Sequence, residues 1–141
     1  MGVYRIEKKK VAVDYKHWLG PDWVPRYDNY GISVSNHVSL LDIFMQFVCD
    51  TMVCGFLQRN GSRKVMCIGY ISEVIGGVFM KRASTKEERQ RALQIIKERQ
   101  LEAEAGIRPP IHIFPEGSTT NGSALLKFKK GAFASLKAVK P

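Results

Sequence analysis

Apolar runs along the chain break off abruptly into polar residues. Gly31 to Ser35 leads into Asn36-His37, and Ile111-His112-Ile113-Phe114 leads into Pro115-Glu116-Gly117-Ser118-Thr119. A buried strand that ends this way delivers side chains to a pocket at the edge of a sheet. Between these runs the spacing turns helical. Leu40, Leu41, Phe44, Phe47 and Val48 mark an apolar face, and Asp42, Gln46 and Asp50 a polar one. That pattern predicts a first long helix over about 40–57, with Ser39 as its candidate N-cap. Arg59 to Arg63 reads as a turn, Val65 to Ile68 as a short buried strand, 70–75 as a helical turn, and Val78-Phe79-Met80 as another strand. Ser84 to Glu87 forms a capping box that opens a charged helix reaching about Ala105 and ended by Gly106. Its apolar stripe, including Ala92, Leu93 and Ile96, is narrow, as expected for a surface helix lying on a sheet with its charges solvated. A polar loop over 115–124 precedes the apolar Leu125 to Phe128. A short helix is expected near Ala132–Leu136, and a strand begins in Ala138-Val139-Lys140-Pro141. This alternation predicts an α/β fold, a central, largely parallel or mixed sheet flanked by helices.

The chain has 141 residues, enough for one domain with one core. Residues 1–30 read as a basic and aromatic lead-in arm, and 31–141 as the α/β domain. In the arm, Pro21, Pro25 and Gly20 resist regular structure, and His17 has no evident partner. Trp18 and Trp23 beside Lys8-Lys9-Lys10 suit either a membrane interface or an arm packed on the domain.

Composition narrows the class. With 45% hydrophobic and 25% charged residues the chain is globular. A net charge of +9 calls for an anionic partner, and nucleic acid, anionic lipid and phosphorylated substrates all qualify. The sequence carries no nucleic-acid-binding signature, so no nucleic-acid partner is expected. Cys49, Cys54 and Cys67 lack the spacing of a zinc site or disulfide framework and read as buried thiols. The three histidines are scattered, so no metal is expected. The N-terminus is not a signal peptide, and Ile6 stands where a myristoylation signal wants Ser or Thr. The best candidate for a spanning helix, Leu40 to Leu57, carries Asp42, Gln46 and Asp50. Gly117 to Gly122 has the glycines of a phosphate-binding loop but lacks the following lysine, and no GxSxG elbow is present.

His37 and Asp42 are the candidate chemistry. A neutral imidazole is suited to accept a proton near neutral pH, and a carboxylate on its other nitrogen would fix the tautomer. Five helical residues turn the chain by about 500°, so the two would point roughly 140° apart on one helix. They can meet only if His37 precedes the helix and Asp42 lies inside it. Equally, Asp42 could close back on Ser39 as part of a capping box, with no catalytic role. His112, within its strand, reads as a structural histidine.

Asn36-His37-Val38-Ser39-Leu40-Leu41-Asp42 resembles the NHxxxxD block of the glycerolipid acyltransferase family, and Phe114-Pro115-Glu116-Gly117-Ser118-Thr119 its FPEGT block. Gly77 to Arg82 resembles the block between them, an apolar strand ending in arginine. The form Glu116 to Asn121 looks closest to the lysophosphatidylcholine and glycerol-3-phosphate acyltransferase branches. The resemblance implies direct acyl transfer from acyl-CoA to the hydroxyl of a lysophospholipid or glycerol phosphate. His37 would be the general base and Asp42 its orienting partner. Backbone N–H groups near the first helix start would be oxyanion donors. Arg82, Glu116, Gly117, Ser118 and Thr119 would bind the acceptor. Acyl-CoA would be a substrate, with no cofactor. Arg82 would grip the phosphate, and Glu116 would orient Arg82, backbone amides or an acceptor hydroxyl; alternatively Glu116 ties down its own turn. Many members carry arginine where Thr119 stands, which shifts one phosphate contact toward Lys127, Lys129 or Lys130. The resemblance also implies a membrane surface as partner, at the cytosolic face of the endoplasmic reticulum or, alternatively, at a mitochondrial membrane. It implies a domain incomplete beyond Pro141. A catalytically idle, membrane-associated binding or assembly subunit is the competing reading.

Overall fold

The computed structural model describes residues 7, 9, 13–24, 29–49 and 53–141, leaving out the side chain of Cys49. Among the described residues five strands form one sheet: β1 (Ile32–Val34), β2 (Gly55–Arg59), β3 (Val78–Met80), β4 (Ile111–Ile113) and β5 (Val139–Lys140). Their order is β3-β2-β4-β1-β5, and every pair is parallel. Ile32 lies opposite Ile111 and Val139, while Phe56 lies opposite His112. The described residues also form four helices: α1 (Lys16–Leu19), α2 (Asp42–Cys49), α3 (Ile68–Val74) and α4 (Lys86–Glu104). Short 3-10 turns occupy Asn60–Lys64 and Lys130–Phe133. This is the α/β fold that the alternation predicts.

Side chains alternate across a sheet, and here the two faces differ in kind. Ile32, Val34, Ile111 and Ile113 point to one face, where Ile96 of α4 and Ala132 complete the aliphatic core and Leu57, Val78, Met80 and Val139 pack against it. Ser33, His112, Phe56, Gln58 and Phe79 occupy the alternate positions. There α2 attaches through Gln46, whose amide donates to the Ser35 hydroxyl, and through Phe47 edge-on to Phe56 at 5.7 Å. α3 attaches through the Ser72 hydroxyl, bonded to Gln58.

Several expected elements shift. The predicted helix over 40–57 splits into α2 and the strand β2. A continuous apolar run satisfies helix and buried strand alike, so periodicity alone does not separate them. Gly55 marks the difference, because a Cβ there would lie 2.4 Å from the Gly76 carbonyl oxygen where the two backbones meet. The expected strand at Val65–Ile68 is instead a turn through Cys67, at φ 68, into α3. The capping box lies one residue later than predicted, on Thr85 and Glu88. The last short helix is a 3-10 turn that begins at Lys130 and not at Ala132. In the arm, α1 forms despite the neighbouring breakers, and His17 meets Trp18 edge-on at 5.5 Å. Trp18 is exposed and Trp23 half-buried against Tyr15, so the expectation of a packed arm burying both does not hold. Lys8, Lys10, Pro25 and Tyr27 lie outside the described residues, as does Asp50. Cys54 is buried, but Cys67 is exposed, because the turn that replaces the expected strand carries it outward.

Candidate active site

The functional candidates gather at the carboxyl ends of the parallel strands, the edge where α/β sheets place their ligands. His37 follows β1, Arg59 ends β2, Arg82 follows β3, and Phe114 to Thr119 follow β4.

His37 precedes α2, and Asp42 is its first residue. The imidazole Nδ1 and Asp42 Oδ2 are 2.9 Å apart, with the two side chains 17% and 18% exposed. The same carboxylate oxygen accepts the backbone N–H groups of Val38 at 2.7 Å and Ser39 at 2.9 Å. Pairing and capping therefore coexist: Asp42 holds the imidazole and closes the helix start with one oxygen. Burial pushes the Asp42 carboxyl upward, but the Ser39 N–H, the imidazole and the Val38 N–H outweigh it and hold the group below its usual range. No described residue hydrogen-bonds His37 Nε2, and the imidazole lines a cavity of about 400 Å³ with Leu40, Ile43, Phe56, Arg59 and Ser62. Phe114 stacks on the ring at 4.1 Å between centroids, fixing its plane.

Glu116 is buried, and its carboxylate clamps two backbones. Oε1 accepts the His37 N–H at 2.8 Å and Oε2 the Leu126 N–H at 2.9 Å. These two bonds, Leu126 first, hold its carboxyl below the usual range. Glu116 therefore orients backbone amides, one of the roles expected for it, and does not touch Arg82. The Thr120 N–H adds a bond to the His37 carbonyl at 2.8 Å. The FPEGT loop is thus a brace for the histidine as well as a cavity wall.

Gly117, Ser118 and Thr119 line the His37 cavity. Gly117 has φ +72, and a Cβ there would collide with Lys129 Nζ at 2.1 Å, so the lysine reaches across bare backbone. Arg82 does not line that cavity. It is exposed and borders an adjoining one of about 300 Å³ with Arg59, Lys81 and Lys129. The two cavities share Leu57, Gln58, Arg59, Phe114 and Gly117. Arg82 and Glu116, both expected to bind the acceptor, therefore do not line one pocket: two neighbouring cavities open here, and Glu116 lines neither. The reason is topological: β3 is the edge strand, beyond β2, so its end opens beside the His37 cavity.

Five of the backbone N–H groups at the helix start, where oxyanion donors are expected, are engaged. The N–H groups of His37, Val38 and Ser39 go to carboxylates, and those of Leu41 and Asp42 go to Ser39 oxygens. Arg59 is the residue that sequence reasoning missed. It was read as part of a turn, yet it ends a parallel strand as Arg82 nearly does, and that position was its available signal. Among the described residues no cluster could hold a metal ion, and no helix is long and apolar enough to cross a membrane.

The chain is similar to known proteins. The family model described as Acyltransferase matches residues 19–140. A lysophospholipid acyltransferase of Arabidopsis thaliana is 38% identical over 104 residues, 73% of this chain and 26% of that protein. Lysophosphatidylcholine acyltransferase 1 of Danio rerio is 38% identical over 119 residues, 83% of this chain and 22% of its own. A lyso-ornithine lipid O-acyltransferase of Rhodobacter capsulatus is 32% identical over 107 residues, covering 74% of this chain and 35% of its own. The chain thus spans between 22% and 35% of the length of these relatives. No solved structure gives a significant match. With a match across nearly all of the α/β domain and a paired His37–Asp42 at its strand ends, the chain belongs to the acyltransferase family.

Proposed function

We propose that this domain transfers a fatty acyl group from acyl-CoA to the hydroxyl of a lysophospholipid or glycerol phosphate. The single observation that carries the reading is the imidazole held on one nitrogen by Asp42, with no described residue bonded to its other nitrogen and the ring lining a cavity. His37 Nε2 takes the acceptor hydroxyl proton as the oxygen attacks the thioester carbonyl. Asp42 stabilises the resulting imidazolium. The tetrahedral intermediate collapses, the C–S bond breaks, and the coenzyme A thiolate leaves with the proton returned by the imidazolium. No protein nucleophile is needed, because positioning the two substrates supplies the advantage. Arg82 is proposed to grip the acceptor phosphate through its planar fork, beside Arg59 and Lys129. Names of relatives that act on lysophospholipids and acylglycerol phosphates support this acceptor class. The intact dyad speaks against a catalytically idle subunit.

The test is release of coenzyme A thiol from acyl-CoA with and without lysophospholipid or glycerol 3-phosphate. Acceptor-dependent release is expected. Arg82→Ala should raise the acceptor KM by about tenfold or more, a lost charge-assisted contact, while leaving the acyl-CoA KM near its original value. A rise confined to the donor KM would move Arg82 to a coenzyme A site.

A further inference from the structure

α2 and α3 are turned inside out. A surface helix ordinarily buries its apolar stripe and exposes its polar one. In α2 the polar Asp42 and Gln46 face the protein, bonded to His37 and Ser35. In α3 the buried residues are Gly69 and Ser72. The outward stripes are apolar: Leu41 just before α2 with Phe44 and Val48 on it, and Tyr70, Ile71 and Val74 on α3, each between 49% and 74% exposed. The two helices form one layer. Phe56 and Gln58 point to the same side of β2, and they meet Phe47 of α2 and Ser72 of α3 respectively. Exposed apolar stripes on two helices of one layer are unusual on a soluble monomer and mark an interaction site.

We infer that the α2–α3 layer is the face by which the domain lies on an anionic lipid bilayer. This deepens the acyl-transfer reading by naming the surface through which a lipid substrate arrives, and it rests on that reading only for the substrate. Two observations select lipid as the occupant. The first is charge. The carboxylates that α2 and α3 carry among the described residues are Asp42 and Glu73, and both are paired, with His37 and Arg63. With Arg63 taken up by Glu73, Lys64 is exposed beside it on the turn that leads into α3, Arg59 is exposed at the cavity that borders the layer, and the chain carries a net +9. An apolar face with a basic border and no unpaired described carboxylate matches a bilayer with anionic head groups. The second is continuity. The His37 cavity is lined by Leu40 just before α2, Ile43 of α2 and Ser62 of the turn before α3, so it borders the same layer. A lysolipid can enter from the bilayer without exposing its acyl chain to water.

The experiment is co-sedimentation of the chain with phosphatidylcholine vesicles, with and without phosphatidylglycerol, at low and high salt. Wild-type protein should bind the anionic vesicles, and salt should weaken that binding. A triple variant on the outward stripes, Phe44→Gln, Ile71→Gln and Val74→Gln, should bind at least about tenfold more weakly while its circular dichroism and melting stay native. Leu101→Gln, at an exposed apolar position of α4 on the opposite face, should bind as wild type. A second readout needs no outward-stripe variant. In a Cys49→Ser protein the exposed Cys67, at the start of α3, carries an environment-sensitive label whose emission should shift to the blue on anionic vesicles. The same label at Lys97→Cys on α4, in a protein also carrying Cys67→Ser, should not shift. Vesicle binding unchanged in the triple variant, no binding by the wild type, or an unshifted Cys67 label would overturn the proposal. So would a wild-type dimer that the triple variant dissociates, since a second copy would then be the occupant. Loss of thiol release with vesicle binding intact would count against the acyl-transfer reading and leave this face in place.

Discussion

The two faces of the sheet are built by opposite rules. On the α4 face, Ile32, Val34, Ile111 and Ile113 meet Ile96 and Ala132 in an aliphatic core. On the α2–α3 face, Ser33 and Ser35 hydrogen-bond the two nitrogens of His112 at 2.8 and 3.0 Å, Gln46 joins Ser35, and Gln58 bonds Ser72. Apolar packing is non-directional and tolerates small shifts, whereas a hydrogen-bonded network fixes position. The difference places stability on one side and positioning on the other. The Ser35–Gln46 bond spans the same β1–α2 elbow as the His37–Asp42 bond, so the polar face holds the dyad in register.

The largest effect on stability should come from breaking the aliphatic face. Ile111→Ala, at a fully buried central position, should cost about 2–5 kcal/mol in urea unfolding while the folded fraction keeps its activity. Loss below about 1 kcal/mol would deny that this face carries the fold. His112→Ala on the polar face should cost less, about 1–3 kcal/mol for the hydroxyls left without their partner. It should also lower kcat more than it raises either KM, because it loosens the His37 elbow. An equal stability loss with kcat untouched would make the network merely structural. Thr85→Ala removes the cap of α4 and should cost about 1 kcal/mol with no catalytic consequence.

The smallest and most diffuse effect is acid sensitivity. Asp42 and Glu116 both have lowered pKa values in the folded protein, against ordinary values of 3.8 and 4.5. The unfolded chain therefore binds protons first. Stability is fully present above that range, begins to fall as pH drops through about 4.5, and continues to fall through the lowered folded values. Glu116→Gln should flatten part of that decline, which a series of melting curves against pH would measure. An unchanged slope would mean that its two backbone bonds contribute little.

The sequence made the site legible where residues lie close along the chain or end a strand. His37 before a helix, Asp42 inside it, and a structural His112 all follow from local patterns, and the folded chain has them in those places. The sequence is silent where the deciding contact is distant. Gly55 needs the backbone of Gly76 to explain why the first helix stops. Arg99 looked like a solvated charge on α4, yet it is buried and donates to the Gly76 and Pro109 carbonyls. The apolar face of α2 was visible as a pattern, but its direction was not. Amphipathicity says that two sides differ, and the partners of Gln46 and Asp42 decide which side turns inward.

Acceptor-dependent thiol release by wild-type protein and His37→Ala, compared at equal folded concentration, tests the central claim most directly. A positioned base contributes about 10²- to 10⁴-fold, and turnover should fall by that order while the melting temperature stays close to wild type. Turnover retained within a few-fold, or absent in the wild type with both substrates supplied, would contradict the assignment of His37 as the base of an acyl transfer.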